Sequence, residues 1–457
     1  MLIVPEIEQQ MGIETYLTKN AGVGGAIRRA MEDFIVEETL VDCSKATAQD
    51  IAAKPALGAT ETKQRFLLCV LVKRNWDTFI AVKNIAKELK ISQDRIQIAG
   101  IKDAKAVTAQ HITIEGLSAE EATAIHVKDI ELHPVGYFHE PICSFYLLGN
   151  NFKIYIKQIN RCAANLEEQV EKVAAEITAA GGIPNFYGHQ RFGTTRAITH
   201  LVGKAMVQGD MEEAAMIFLS KPSAHEHPES RQVRLELQAT RDFERALHDF
   251  PWQLRFERLM LSHLAKAPND FSGAFGRLPL KLQMLFVQAW QSYLFNRFLS
   301  VRIKAGFPLA KAITGDFVVN VERSGLPMVR NGKIVETSNV ADVNRLIQAG
   351  KMRVSLPIFG ARQKLSNGAM GELEQRVLME EKAEADSFRV PALPEINAKG
   401  ELRAAVCPVS NFLAGAVTSD SKRQLEIPLE FMLLRGAYAT VLLREIMKPE
   451  DLITSGF

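Results

Sequence analysis

Cysteine is scarce in this sequence, and its placement is not typical of a disulfide framework or a zinc site. Five cysteines, an odd number, are scattered through 457 residues, and none stands in a CxxC pair. Disulfide-stabilised secreted domains and zinc knuckles are therefore not expected. This usage of cysteine is typical of proteins in a reducing cytoplasm.

Long apolar runs are missing as well. The longest apolar stretches, such as residues 66–72, are far too short to cross a bilayer. The first residues, MLIVPEIEQQ, have no basic segment and reach Glu6 at once, so we expect no signal peptide. The sequence thus predicts a cytoplasmic protein that has no membrane partner.

Patterns for binding metals or cradling nucleotides are not found either. The histidines show no ligand spacing with cysteines or acids, so we expect no metal site. The glycines at 22–25 (GVGG) match neither GxxxxGK[ST] nor GxGxxG. The formal net charge is only +2. It neither requires nor excludes a nucleic acid partner, because a local basic cleft can coexist with an acidic remainder.

Length and pattern indicate two domains. The chain has 457 residues, which is too long for a typical single domain, so two domains are expected and three are possible. Hydrophobic residues make up 47%, enough for a sizeable core. Strand-like alternation is common before residue 200, and helical patterns dominate after it. Motifs typical of a functional site lie before 200 and after 430. The simplest organisation is one domain built from 1–205 and 405–457, interrupted by an inserted domain at 206–404.

A helical pattern follows the buried strand that ends near residue 74. Asp77 or Thr78 is the predicted N-cap of this helix, which runs to Lys90. One face of the helix is apolar and is predicted to be buried. Its members are Phe79, Val82, Ile85, Ala86 and Leu89.

The first candidate for chemistry is the loop AGIKDAKAVTAQ at 99–110. Asp103 lies there between Lys102 and Lys105, in a loop opened by Gly100. Nearby ammonium groups favour the ionised carboxylate. An ionised carboxylate on a loop held by strands suits a nucleophile or a base. The alternative interpretation is a solvated turn, because charged loop clusters usually face water.

The segment PNFYGHQRFG at 184–193 is the second candidate. It combines aromatic rings such as that of Tyr187 with the amide of Asn185 and the guanidinium of Arg191. Aromatic faces stack on bases, guanidinium groups pair with phosphates and amides read base edges. The alternative is a turn whose aromatic side chains belong to the core.

Two further segments are weaker signals on their own. AIRRAMEDFIVEE places Arg28 before Phe34 and a pair of carboxylates, and FMLLRGAYATVLLRE contains Tyr438. The first segment is otherwise an ordinary solvated edge strand. The second is otherwise a plain C-terminal strand, in which residues 440–444 carry the clearest strand pattern.

Taken together and in this order, the four segments resemble the TruD family of pseudouridine synthases. The similarity spans nearly the whole chain. Arg28 stands where the family often has Lys, and Tyr187 and Tyr438 stand where many members have Phe, so the departures keep a charge or a ring. The matching residues are Phe34, Val36 and Glu38 (or Glu37); Gly100, Lys102, Asp103, Thr108 and Gln110; Gly149, Asn150, Phe152 and Ile154; Asn185, Tyr187, Gly188, Gln190, Arg191, Phe192 and Gly193; Gln291, Ser292, Phe295 and Asn296; and Gly436, Tyr438, Ala439, Thr440, Arg444 and Glu445.

The resemblance implies an α+β fold. Its pseudouridine synthase catalytic domain has a mixed, largely antiparallel sheet flanked by helices. An inserted α/β domain specific to the family, the TRUD domain, corresponds to residues 206–404. The two domains would form a positively lined cleft for RNA.

The implied function is isomerisation of uridine to pseudouridine in tRNA, with uridine 13 of the D-arm as the expected target. Asp103 would be the catalytic carboxylate, which either attacks C1′ or removes a proton at C2′ of the ribose. No cofactor or metal is required, and no protein partner or oligomeric state is implied.

The resemblance also implies which residues contact the substrate. Arg28 and Lys102 would keep Asp103 ionised and bind phosphate. The rings of Phe34, Tyr187 and Tyr438 would sandwich the extruded base. Asn185 would bind the uracil edge, and Arg191 would brace the loop or a phosphate.

Two other functions fit parts of the sequence. One is a catalytically silent factor that binds or folds RNA on the same scaffold, and the presence of Asp103 with the aromatic set disfavours it. The other is a metal-free hydrolase that uses Asp103 with His189, but no serine or cysteine nucleophile motif supports it.

Overall fold

The computed structural model describes residues 3–49, 56–159, 165–419 and 424–457. The chain divides into two compact units. We call one the sheet unit; it comprises Thr18–Gly182 and Cys407–Gly456. We call the other the helical unit; it comprises Met1–Leu17, Ile183–Val406 and Phe457.

Helices and strands are both abundant, as the predicted α+β class requires. The strands are β1 (Phe34–Leu40), β2 (Phe66–Arg74), β3 (Ile96–Ile98), β4 (Val107–Glu115), β5 (Ile130–Phe138), β6 (Leu147–Ile156), β7 (Ile183–Pro184), β8 (Phe317–Asn320), β9 (Lys333–Ile334), β10 (Met352–Ile358), β11 (Glu401–Ala404), β12 (Val406–Cys407), β13 (Val409–Ala414), β14 (Thr418–Ser419) and β15 (Leu425–Leu434). The α-helices are α1 (Glu6–Gln9), α2 (Thr78–Glu88), α3 (Ala119–Thr123), α4 (Leu166–Ala179), α5 (Thr199–Val207), α6 (Met211–Ser220), α7 (Pro228–Thr240), α8 (Phe243–Asp249), α9 (Arg255–Leu264), α10 (Phe271–Gly276), α11 (Leu280–Lys304), α12 (Val340–Gln348), α13 (Gly368–Glu381) and α14 (Ala439–Met447).

A nine-stranded sheet forms the centre of the sheet unit. Its strand order is β13-β15-β6-β1-β4-β2-β5, with β14 paired to β15 and β3 paired to β4. β1 and β4 run parallel, and the other pairs are antiparallel. The predicted mixed, largely antiparallel sheet is therefore confirmed. Because β1 and β4 are central, both are almost completely buried.

α2 packs on one face of this sheet, and of the two predicted N-caps, Asp77 and Thr78, Asp77 caps the helix. The Asp77 carboxylate accepts hydrogen bonds from the backbone N–H groups of Phe79 and Ile80. The predicted burial of Phe79 is wrong, because its side chain is 51% exposed. Thr78 takes its place on the buried face, four residues before Val82.

The C-terminal segment folds differently from the prediction. Residues 440–444 lie in the helix α14 and not in a strand, and all residues of that helix are buried. The short apolar run of this helix, residues 441–443, cannot be told from a buried strand by periodicity alone.

The helical unit is built around the 25-residue helix α11. α5 packs along α11 most closely at Gly203, where a Cβ would lie 1.9 Å from the backbone oxygen of Phe286. Only glycine permits this approach. The same unit holds a four-stranded antiparallel sheet in the order β11-β10-β8-β9.

The compact units do not coincide with the predicted domain ranges. The prediction divided the chain at 205/206 and 404/405, whereas the units divide at 182/183 and 406/407. Residues 183–205 group with the helical unit because α5 packs on α11 there. The first 17 residues also group with the helical unit, although the prediction placed them with the sheet.

Candidate active site

Asp103 lies in the loop that joins β3 to β4, beside the parallel pairing of β4 with β1. Its side chain is 34% exposed, and Arg28 Nη2 donates a hydrogen bond of 3.1 Å to its Oδ1. A carboxylate with one oxygen held by a guanidinium and part of its surface open can meet a substrate. The expected contact between Arg28 and Asp103 is thus present.

Arg28 is fixed from three sides. Its guanidinium carbon lies 4.0 Å from the ring centre of Phe34, and its Nη1 donates a 2.9 Å hydrogen bond to the backbone oxygen of Gly456. Burial lowers the pKa of Arg28, while the charge of Asp103 acts in the opposite direction. The backbone of Arg28 is left-handed, with φ of 57°. Non-glycine residues adopt this conformation where the surroundings impose it, often at functional sites.

Lys102, expected to bind phosphate beside Asp103, forms a buried ion pair with Glu38. Its ammonium lies 2.5 Å from Glu38 Oε2, and the two side chains are 2% and 0% exposed. Glu38 also accepts a 3.1 Å hydrogen bond from the backbone N–H of His111. The charge of Lys102 is therefore paired with a buried carboxylate, and its burial keeps it away from any phosphate. Lys102 is next to Asp103 in the chain, but its side chain faces β1.

The ionised state of Glu38 is supported by its partners. Burial acts to raise the pKa of Glu38, but the hydrogen bond with the His111 side chain and the charge of Lys102 outweigh it and hold the pKa below its ordinary value. A buried pair of this kind is costly to break, because removing one charge leaves the other uncompensated. The pair thus ties the Asp103 loop firmly to β1.

Further side chains hold the backbone of the same loop. The Lys73 ammonium on β2 donates a 2.8 Å hydrogen bond to the backbone oxygen of Asp103. The Thr78 hydroxyl accepts from the backbone N–H of Lys102 at 3.1 Å and donates to its oxygen at 3.2 Å. Gln110 Nε2 donates to the backbone oxygen of Gly100 at 3.0 Å. The loop is therefore held by side chains from β2, α2 and β4.

Sequence reasoning missed the supporting roles of Lys73 and Thr78. Lys73 stands at the end of an otherwise apolar strand and is itself buried. Thr78 was considered only as a helix cap. A lysine at the inner end of a buried strand was the one available signal, since such a charge needs a partner.

Phe34 and Tyr438 belong to the same unit as Asp103. Phe34 is 1% exposed, with Arg28 over one face and the edge of Phe152 at 6.2 Å. Tyr438 is half-buried and immediately precedes α14. The structure thus brings Asp103, Arg28 and Phe34 together as a contiguous group.

Asn185 and Tyr187 lie in the helical unit. The Asn185 amide donates to the backbone oxygen of Ala404 at 3.0 Å and accepts from Arg403 at 2.7 Å. Tyr187 is 9% exposed, with the guanidinium carbon of Arg403 4.1 Å from its ring centre and the ring of Phe295 edge-on at 5.7 Å. Both side chains are therefore integrated into their own unit.

Arg191 binds a side chain of its own unit. Its Nε donates a 3.0 Å hydrogen bond to the Ser292 hydroxyl on α11. Asn296, one turn further along α11, accepts from the backbone N–H of Tyr187 at 2.8 Å. Two sequence motifs far apart in the chain thus bind each other. Beside them, Tyr187, Arg191 and Gln288 line part of a cavity of about 360 Å³.

His189, the partner considered for a hydrolase, is also committed elsewhere. It is 3% exposed, and its Nε2 lies 3.1 Å from Glu8 Oε1 within the helical unit. In the described ranges no group of three or more His, Cys, Asp or Glu side chains is placed to hold a metal ion. No helix in those ranges is long and apolar enough to cross a membrane.

Comparison with known proteins decides the family. The sequence model of the family described as "tRNA pseudouridine synthase D (TruD)" matches residues 10–446. The chain belongs to the TruD family. The resemblance drawn from the sequence is confirmed, and with it the reaction class, isomerisation of uridine to pseudouridine in tRNA.

Individual relatives agree with the family match. The chain is 38% identical over 449 residues to the "Probable tRNA pseudouridine synthase D" of Methanosarcina acetivorans, covering 98% of each chain. It is 36% identical over 433 residues to that of Thermococcus onnurineus, covering 95% of this chain and 97% of the relative. A crystal structure of a Methanosarcina mazei protein that carries the TruD name superposes with a TM-score of 0.82 at 38% identity, covering 97% of this chain and 98% of the other.

Proposed function

We propose that this protein converts uridine 13 in the D-arm of tRNA to pseudouridine, with Asp103 as the catalytic carboxylate. The observation that carries the proposal is the pair formed by Asp103 and Arg28, in which a partly exposed carboxylate is held at 3.1 Å by a guanidinium. Its loop is anchored by buried side chains, which suits a group that must meet one atom of a substrate in a fixed orientation.

The chemistry asks little else of the protein. The bond between C1′ and N1 breaks, the uracil rotates, and C1′ bonds to C5; C5 then loses its proton and N1 gains one, so the product is an isomer and no oxidation or reduction occurs. Asp103 either attacks C1′ or removes a proton at C2′. Both routes need a carboxylate held beside the ribose, and the hydrogen bond from Arg28 holds the carboxylate of Asp103.

The extruded uracil must find a flat surface near Asp103. In the free protein the Arg28 guanidinium occupies one face of the Phe34 ring. The base therefore either displaces the guanidinium from Phe34 or stacks on the guanidinium itself. Tyr438, half-buried in the same unit, is our candidate for a second ring. Stacking of this kind holds a flipped base against an aromatic or cationic plane.

For the helical unit we propose contacts with RNA through Tyr187 and Arg191, which line the cavity of about 360 Å³. Asn185 is the proposed partner of the uracil edge. Its amide oxygen is engaged by Arg403 at 2.7 Å, so reading a base would require that hydrogen bond to be exchanged. We assign Lys102 to holding the loop and not to the substrate.

Purified protein and unmodified tRNA transcripts test the proposal. We expect wild type to convert uridine 13 and Asp103→Asn to convert none, because an amide of the same shape can act neither as nucleophile nor as base. Affinity of Asp103→Asn for tRNA should stay near that of wild type. Asp94→Asn, an exposed acid just before β3, is the matched control and should react normally.

The two parts of the proposal fail separately. A rate near wild type for Asp103→Asn would remove Asp103 from the reaction. Conversion of a different uridine, lost in Asp103→Asn, would leave the catalytic carboxylate in place and overturn only the position.

A further inference from the structure

Three large apolar side chains are exposed close to Asp103. Phe79 and Ile80, at the start of α2, are 51% and 53% exposed, and Ile101, in the Asp103 loop, is 62% exposed. Single exposed apolar residues are common on protein surfaces. These three lie on two separate elements that meet through Thr78 and Lys102, and we consider them together as one patch.

The meeting point of the two elements is the contact between Thr78 and Lys102. The Thr78 hydroxyl lies 3.1 Å from the backbone nitrogen of Lys102. Phe79 follows Thr78 in the chain, and Ile101 precedes Lys102. Asp103 is the next residue, so the Cα atoms of Ile101 and Asp103 are at most about 7 Å apart.

Exposed lysines lie on the same two elements as this patch. Phe79, Lys83 and Lys87 follow each other at four-residue intervals on α2, so they share one face of the helix, and both lysines are exposed. Lys105 is exposed on the other side of Asp103. The backbone N–H groups at the start of α2 are taken by Asp77. Any anion near the patch would therefore be bound by lysine side chains.

We infer that Phe79, Ile80 and Ile101, which we call the apolar patch, contact the tRNA nucleotides that flank the converted uridine. The inference rests on Asp103 being the catalytic carboxylate of the proposed function. A uridine that leaves its stack exposes the faces of the neighbouring bases, and apolar or aromatic side chains can cover those faces. Lys83, Lys87 and Lys105 would bind phosphates around them.

A crosslinking experiment tests the contact without requiring catalysis. Phe79 is replaced by p-benzoylphenylalanine, the full-length protein is irradiated with tRNA, and the crosslinked nucleotides are located by sequencing. The control carries the same group at Leu413, a 63% exposed apolar residue on β13 that matches Ile101 in exposure. We expect strong crosslinks from position 79, within a few nucleotides of the converted uridine, and few from position 413.

Kinetics give the second readout. Phe79→Ala combined with Ile101→Ala should lower the single-turnover rate by about tenfold or more, since base stacking on a side chain is lost. Leu413→Ala should leave the rate unchanged. Because the altered residues are exposed, Tm should not change in any of these variants.

The outcomes separate this inference from the proposed function. Crosslinks at position 79 with no pseudouridine formed by wild type would overturn the function and leave the RNA-binding surface standing. Normal conversion with no excess of crosslinks at 79, or a normal rate in the double variant, would overturn the inference. Crosslinks from 79 to a second protein chain, with the double variant shifted to a smaller assembly, would show a protein interface and also overturn it.

Discussion

The Asp103 loop in the sheet unit and the segment 185–191 in the helical unit both carry the family's motifs, yet they use their side chains differently. Asp103 keeps its carboxylate 34% exposed while other residues hold its backbone. In the second segment the motif side chains themselves make the structural bonds, as Asn185 does with Ala404 and Arg191 with Ser292.

This contrast separates two reasons why a residue belongs to a motif. A reactive group must be rigidly placed and still accessible, so the bonds that fix it are made by its neighbours. A supporting residue can use all of its polar atoms in hydrogen bonds and ion pairs within the fold. Lys102 shows that adjacency in the chain does not decide between the two, because it lies next to Asp103 and is a supporting residue.

Breaking one buried ion pair in each unit should have the largest effect on stability, and it should affect the reaction rate in only one of the two variants. Lys102→Met leaves Glu38 buried without its partner, and Arg302→Met does the same to Asp316, whose pair has both side chains 0% exposed. Each change should destabilise its unit by about 3–5 kcal/mol. Only Lys102→Met should also lower the single-turnover rate of the folded protein, by about a hundredfold, because a loosened Asp103 loop loses its catalytic orientation.

Both variants should be assayed at low temperature, with folding of each unit followed by hydrogen exchange. Removing both charges with Lys102→Met and Glu38→Gln should recover much of the stability but not the rate. An equal loss of rate in Arg302→Met, or a normal rate in Lys102→Met, would contradict the distinction between the two regions.

Substitution of an aromatic residue should lower the reaction rate more in one region than in the other. Phe34→Leu removes the ring on which Arg28 rests at 4.0 Å and should slow the reaction about tenfold, in line with the strength of a partly desolvated cation–π contact. Tyr187→Phe keeps the ring that packs against Phe295 and Arg403, so its rate should fall by less than about threefold. Single-turnover rates and Tm of both variants check this.

The result that would reverse this comparison is a larger rate loss for Tyr187→Phe than for Phe34→Leu. In that case the Tyr187 hydroxyl would carry chemistry that we attribute to the sheet unit. Loss of Tm in Phe34→Leu with a normal rate in the folded fraction would mean that the ring is merely core.

The smallest effect concerns pH. Burial lowers the pKa of Lys73 to about 8, although Asp103 and Asp77 oppose the shift. The unfolded chain keeps the ordinary pKa of 10.5, so between the two values it binds more protons than the folded chain. Stability must therefore rise with pH from about 8 to 10.5. Over the same window Lys73 loses the charge that strengthens its hydrogen bond to the Asp103 backbone, so the rate should fall modestly.

Comparing wild type with Lys73→Met isolates this group from others that titrate at high pH. Urea unfolding and single-turnover rates at several pH values between 7 and 10.5 would show opposite trends in wild type, and both should be weaker in the variant. Stability and rate that change together, or not at all, would argue against this role of Lys73.

Much of the fold followed from local sequence patterns. Strand-like alternation before residue 200 agrees with strands such as β1 and β6, the helical texture after it agrees with α11, and Asp77, one of the two predicted N-caps, caps α2. What failed depends on tertiary surroundings. The apolar run of α14 lies in a helix that is buried on every side, and Thr78 rather than Phe79 lies on the buried face of α2, where its hydroxyl binds the Asp103 loop.

The sequence indicated which residues belong to the site better than it indicated which of them contact each other. The pair of Asp103 with Arg28 joins residues 75 positions apart, and only the resemblance to a family indicated that they meet. The partner of Lys102 is Glu38 on β1, which is distant in the sequence and comes close only in the folded chain. Lys73 belongs to no motif. It binds a backbone oxygen, which every residue has, so its contact requires no particular sequence pattern.

The most direct test of the central claim is a pseudouridine map of total tRNA from three kinds of cells: those with the wild-type gene, those with the gene deleted, and those that carry the gene for Asp103→Asn. The account predicts pseudouridine at position 13 in the first and unmodified uridine in the other two. Pseudouridine that persists at position 13 in the deletion, or that is restored by Asp103→Asn, would contradict it.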